Sequence, residues 1–217
     1  MDLELHHFFI LVDRGADIAD ALISLGMEES RRRRKHEGQG TSNRNFDFSN
    51  GTLELLWLHD EKEAVDGPGR ELKLVERKKS SDASPFGIVF NRKNNSTYRM
   101  PFDGWKYDPT YFTHLKSPWF FHVGMNSTNL LEPLCLYVPF VDPEIPTENV
   151  EQGIFKTISE VKIYTPSHPL SDILKIADKA DRLSIYNGQH LMEITFDNHC
   201  SGSTKDLRPG IPLIVHW

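Results

Sequence analysis

Glu54 lies in Thr52-Leu53-Glu54-Leu55-Leu56-Trp57-Leu58, a strand-like run otherwise rich in leucine. Burying a carboxylate alone is costly, so a glutamate on such a strand needs a metal ion, an arginine or a ligand donor beside it. His7 poses the same question in the apolar run Leu5-His6-His7-Phe8-Phe9-Ile10-Leu11-Val12. It is a ligand or general base, or else a core histidine hydrogen-bonded to a neighbour. Strict alternation puts His7 on a face with Leu5, Phe9 and Leu11, and turns His6 to the opposite face as a structural residue. Asn43 and Arg44 are further candidates, because an arginine grips a carboxylate or phosphate through two parallel hydrogen bonds. A salt bridge to Glu54 explains Arg44 equally well. In His36-Glu37-Gly38-Gln39-Gly40, the glycines let backbone amides approach an anion or mark a bulged edge strand. His122, among Trp119, Phe120 and Phe121, faces the same cavity or is packed. A Ser-His-Asp triad, a Walker loop and a zinc-type cysteine cluster are all absent from the sequence.

The elements that must position these residues can be read from the spacing of apolar positions. Leu3 to Val12 reads as a buried strand, and Ile18, Ala21, Leu22 and Leu25 have helical spacing, with Gly26 as the stop. Asn43 to Phe48 and Thr52 to Leu58 are strands joined by Asn50-Gly51, a two-residue hairpin signal. Glu61 to Ser84 reads as a solvated loop or as a short helix around Arg70 to Lys79. Phe86 to Phe90, Trp119 to Val123 and Leu134 to Phe140 read as strands, and the aromatic stretch from Tyr98 to Phe112 as a lid. Pro139, Pro143 and Pro146 mark a linker. The last segment repeats the opening: strand Ile158 to Thr165, helix Leu170 to Ala177, then strands Leu183 to Tyr186, His190 to Phe196 and Ile211 to Trp217. The expected organisation is α+β, with residues 1–60 and 158–217 as two βαβββ modules around an insertion, 61–157.

Three segments carry a resemblance to a known family. Leu5 to Asp13 resembles the first strand of the vicinal-oxygen-chelate superfamily, which includes glyoxalases and extradiol dioxygenases. His36 to Arg44 resembles a segment of its glyoxalase-like branch, and Leu53-Glu54-Leu55-Leu56-Trp57 is similar to the fourth strand of its module. The resemblance implies two βαβββ modules curled around a shared cavity, each giving one metal ligand from its first strand and one from its fourth. His7 and Glu54 take those places in the first module. In the second, Glu160 takes the first place and Ile214 the other, and an isoleucine cannot ligate. The implied metal set is therefore His7, Glu54 and Glu160, holding a divalent ion weakly.

The resemblance implies a lyase, isomerase or dioxygenase acting on a small carbonyl- or carboxylate-bearing molecule, with Glu54 and His7 catalytic. Asn43, Arg44, His36, Trp57 and His122 would bind the ligand. A non-catalytic binding or resistance protein of the same fold is the alternative. A net charge of −6 argues against nucleic acid as a partner. The run Arg31 to Lys35 reads as a solvated turn or as a phosphate patch. The first residues lack a basic-then-apolar leader, and no apolar run reaches the ~18 residues of a membrane helix, so a cytoplasmic protein with reduced Cys135 and Cys200 is expected. The insertion offers a surface for a homodimer.

Overall fold

The computed structural model describes residues 3–30, 34–92, 99–112, 120–139 and 153–217. Leu3–Leu11 is β1 and Ile18–Ser24 is α1, which buries Ala19 and Leu22. The chain then forms β2 (Lys35–His36), β3 (Thr41–Phe48) and β4 (Gly51–Leu58). Two short helices follow, α2 (Glu61–Asp66), capped by the Asp60 side chain, and α3 (Leu74–Lys79). Next come β5 (Phe86–Arg92), β6 (Gly104–Tyr107), β7 (Phe121–Gly124) and β8 (Leu134–Tyr137).

These eight strands form one strongly curled half-barrel sheet, in the order β2-β3-β4-β1-β5-β8-β7-β6. β1 lies parallel to β4, and β5 parallel to β8, while β1 and β5 meet antiparallel at the centre. Two groups of four strands therefore share one spatial order: first, fourth, third, second. The second group comes from the segment expected as an insertion, so residues 61–157 supply half of the sheet. Within that segment, Gly104–Tyr107 of the stretch expected as a lid is an edge strand.

The segment expected to be the second module takes a different course. β9 (Ile158–Thr165), α4 (Asp172–Ala177), β10 (Leu183–Asn187), β11 (Leu191–Phe196), β12 (Thr204–Asp206) and β13 (Leu213–His216) form a separate five-stranded sheet, ordered β10-β9-β11-β13-β12. The reason is reach. A short turn after α4 returns the chain as β10 directly beside β9, parallel to it, whereas the longer stretch between α1 and β2 carries the chain to the far edge of the first sheet. Residues 158–217 therefore do not repeat the strand arrangement of residues 3–58.

The pleat sorts apolar side chains into two clusters. Phe8, Ile10, Phe46, Leu53, Leu55, Ile88 and Phe90 point outward from the curl and share the main core with α1, α4 and the five-stranded sheet. Phe48 and Phe196 meet across that junction with ring centroids 4.6 Å apart. Each such side chain contributes ~1.5–3 kcal/mol on burial. Phe9, Leu11, Leu56, Val89, Val123, Leu134 and Leu136 form the second cluster, on the inner side of the curl. Gly87, paired with Phe9 in the ladder, makes room for its ring, since a Cβ there would come within 2.0 Å of it. Among the described residues, no helix is long and apolar enough to cross a membrane.

Candidate functional site

The inner face of the curl holds a cavity of about 440 Å³, within the range of small-molecule sites. His7, Glu54, Asn43 and His36 all line it. Glu54 is 8% exposed and sits on β4 between Thr52 and Leu56, which face the same way. In the ladders it lies beside Phe9 of β1 and Asn45 of β3.

Asn43 organises this end of the cavity. Its side-chain oxygen accepts the Arg34 backbone N–H at 2.9 Å, which leaves its amide nitrogen as a donor. That nitrogen donates to Glu54 Oε1 at 2.5 Å and lies 3.5 Å from His36 Nε2. His36 Nε2 is then an acceptor, and its Nδ1–H donates to Thr41 Oγ1 at 2.9 Å. Gln39 donates to the same hydroxyl at 2.7 Å, and its own carbonyl accepts Tyr107 and Tyr111 at 2.9 and 3.3 Å. The Tyr111 ring packs over His36 with centroids 4.5 Å apart. Among the described residues no hydrogen bond reaches the second oxygen of Glu54.

Burial sets the charge state of these groups. It pushes the Glu54 carboxyl up to about 7, against the Asn43 hydrogen bond and the Arg34 charge, which favour the carboxylate. Burial lowers His36 to about 4, helped by the Arg34 and His59 charges. His7 is lowered well below its usual range by burial, then by His6 and His36. It is half-buried and lines the cavity. At neutral pH the cavity thus holds neutral imidazoles beside a carboxyl poised between its two forms.

His6 corrects the alternation argument. The β1–β5 register shifts between Leu5 and His7. Leu3 and Leu5 therefore point to the main core, and the consecutive His6 and His7 both face the cavity. Their Nδ1 atoms approach to 2.6 Å, so one of the two carries the shared proton. Such bulges re-aim side chains next to functional sites.

Four other expected site residues lie elsewhere. Arg44 shares the outward face of β3 with Phe46 and Phe48. Its guanidinium donates to Glu29 at 2.9 and 2.6 Å, to Asp20 at 3.0 Å and to the Ala16 carbonyl at 3.2 Å. It fastens α1 and the loop behind it to the sheet, and it is not paired with Glu54. Trp57 packs on the outward core. His122 also turns outward: it stacks on Phe102 with centroids 5.5 Å apart, and its Nε2 lies 2.8 Å from the Phe102 carbonyl oxygen. Glu160 stands on the five-stranded sheet, 3.2 Å from Lys162. The Gly38 amide is engaged by the Glu63 carboxylate of α2, which takes the place an anion would have occupied. Of the basic run, Arg31 to Arg33 lie outside the described residues, and Arg34 lines the cavity.

The divalent ion implied by the family resemblance does not fit these residues. With Glu160 on another sheet, the positions of β5 and β8 that line the cavity would have to complete the set, and they are Val89, Leu134 and Leu136. Among the described residues, no three His, Cys, Asp or Glu side chains come together to hold a metal ion.

Sequence reasoning missed Asn45, Asp47, Arg34, Tyr107 and Tyr111 on the cavity wall. For Asn45 and Asp47 a signal existed: Asn43, Asn45 and Asp47 alternate with Arg44, Phe46 and Phe48, so polar side chains share one face of β3. No family model and no curated protein matches the chain. Among solved structures, a hypothetical protein from Staphylococcus aureus is similar over 99% of each chain, with a TM-score of 0.60 at 12% identity. A hypothetical protein from Bacillus halodurans covers 69% of this chain and 100% of its own, with a TM-score of 0.43 at 14% identity. The first likeness is one of fold, and a curled half-barrel is compatible with a glyoxalase-like architecture.

Proposed function

We propose that the concave face binds a small carbonyl- or carboxylate-bearing molecule and that Glu54 moves a proton on it, as in an isomerase or lyase of glyoxalase-like fold. The observation that supports this reading is the placement of Glu54. Its carboxyl is buried on the cavity wall, one oxygen is held by Asn43, and burial pushes the group up to about 7. A general base works best when its pKa lies near the operating pH. In an isomerisation the Glu54 carboxylate takes a proton from the carbon next to a carbonyl. In an α-hydroxy carbonyl compound the C–H electron pair moves into an enediolate, the hydroxyl proton passes to the former carbonyl oxygen, and Glu54 returns a proton, partly exchanged with solvent, to the former carbonyl carbon. Neutral His7 offers a hydrogen bond beside the reacting group, and the Arg34 charge favours an anionic one.

The test is proton exchange in D₂O. Carbonyl compounds that raise the melting temperature are incubated with the protein, and deuterium at the carbon next to the carbonyl is followed by NMR. The expected result is incorporation that falls ~10²–10⁴-fold in Glu54→Gln. Exchange by Glu54→Gln at the native rate would refute the role of Glu54. A second reading, a non-catalytic binding protein of the same fold, is favoured by the apolar inward face of β5 and β8, which brings no second reacting group to the cavity. Tight binding without any exchange would select it.

A further inference from the structure

The chemistry of the cavity changes across β1. On the β3–β4 side the wall is Asn43, Asn45, Asp47, Thr52 and Glu54, with Leu56 as its apolar member. On the other side β5, β7 and β8 present Val89, Phe121, Leu134 and Leu136, with Val138 just past β8 and Leu72 and Leu74 alongside. A purely polar ligand leaves the second wall without apolar contact. A purely apolar ligand takes the first wall's polar groups out of water without replacing their hydrogen bonds. A separate observation concerns Asn45, which stands opposite Glu54 in the ladder. Its side-chain oxygen is buried and has no hydrogen-bond partner among the described residues. A buried acceptor of this kind costs ~1–3 kcal/mol unless a donor meets it.

We infer that the ligand is an amphiphile: an aliphatic chain along the β5–β8 wall, ending in a carbonyl-bearing head that presents an O–H or N–H to Asn45. The inference deepens the functional reading above and rests on it, because it takes this cavity as the ligand site and names the class of molecule. The chain supplies affinity through apolar burial, and the head fixes which atom lies beside Glu54.

The experiment uses the full chain and two homologous series, primary alkanamides from butanamide to decanamide and 2-alkanones of matching length, with Kd measured by calorimetry. The alkanamides have a carbonyl and an N–H, whereas the 2-alkanones have the carbonyl alone. Affinity is expected to tighten about fourfold per added methylene, the equivalent of roughly 0.8 kcal/mol, until the apolar wall is covered. Val89→Phe and, separately, Leu136→Phe should shorten the chain length at which the gain stops. Circular dichroism and cooperative unfolding confirm that each variant is folded. Amides should bind about tenfold tighter than ketones of equal length, and Asn45→Val should remove that preference while keeping the dependence on length.

A Kd independent of chain length overturns the chain assignment. Equal affinity for amides and ketones in the native protein overturns the head assignment. If short carbonyl compounds bind and exchange deuterium through Glu54 while longer ones bind no tighter, this inference fails and the functional reading stands. If carbonyl compounds of every length fail to bind, both fail.

Discussion

β1–β4 and β5–β8 follow the same spatial order in one curled sheet, and both turn one face of each strand toward the same cavity. They differ in what those faces carry. Around the cavity, His6, His7, Asn43, Asn45, Asp47, Thr52 and Glu54 come from the first half beside Phe9 and Leu56, whereas the second half presents Val89, Phe121, Leu134 and Leu136, with Tyr107 at its edge. The backbone repeats and the chemistry does not. One half therefore sets charge state and proton traffic, while the other supplies shape and apolar contact. The lesson is that a repeated strand order does not carry a repeated ligand set.

The comparison can be broken at several points. Arg44→Ala should have the largest effect on stability. Arg44 is 7% exposed, and its removal takes from the Glu29 carboxylate a guanidinium that meets both of its oxygens. Breaking one side of a buried pair costs ~3–5 kcal/mol, seen as a lower urea midpoint. Because Arg44 faces away from the cavity, ligand affinity should be unchanged, and a large loss of affinity would place it back in the site.

Glu54→Gln should act through pH. The folded chain keeps the Glu54 proton up to about pH 7, whereas the unfolded chain releases it near 4.5. Native stability attributable to this group therefore falls as pH rises through that window, by about 3 kcal/mol in all. The variant should match the native protein near pH 5 and exceed it above pH 7. His36 works in the opposite direction: its pKa falls from 6.5 to about 4, so its contribution is lost as pH drops through that window. His36→Gln should flatten the acid side of the stability profile, and an unchanged profile would contradict a buried neutral imidazole.

Leu136→Ala probes the apolar half. It should cost about 2 kcal/mol, the low end for such truncations, because one side of Leu136 already faces open space. The cost should be the same at pH 5 and pH 8, unlike the effects of Glu54 and His36. The smallest expected effect is that of His122→Phe. His122 stacks outside the cavity and its Nε2 lies near one carbonyl oxygen, so the change should cost about 1 kcal/mol and leave ligand binding intact.

Much of the first half was legible in the sequence. Alternation in Thr52 to Leu58 put Glu54 with Thr52 and Leu56, and the Asn50-Gly51 signal joined the two strands that carry Asn43 and Glu54. Three things were not legible. The extra residue in β1 leaves no composition signal, because apolar residues flank both histidines, so His6 was turned the wrong way. Arg44 was read by its chemistry and not by its face, although Phe46 and Phe48 on the same alternation mark that face as core. The order of strands in space depends on where the chain returns. For that reason the strand-helix-strand start of residues 158–217 imitated residues 3–58 in sequence and built another sheet, while the second half of the curl came from residues 86–137 without a matching helix signal.

The central claim is that Glu54 titrates in the neutral range on a cavity wall that also carries Arg34 and Asp47. Carboxyl ¹³C NMR of protein labelled at glutamate, with the Glu54 resonance assigned by its loss in Glu54→Gln, measures this directly. The account predicts one carboxyl with a midpoint near 7, well separated from the exposed glutamates and shifted when a ligand binds. A Glu54 carboxyl that titrates near 4.5, indistinguishable from the surface groups, would contradict it.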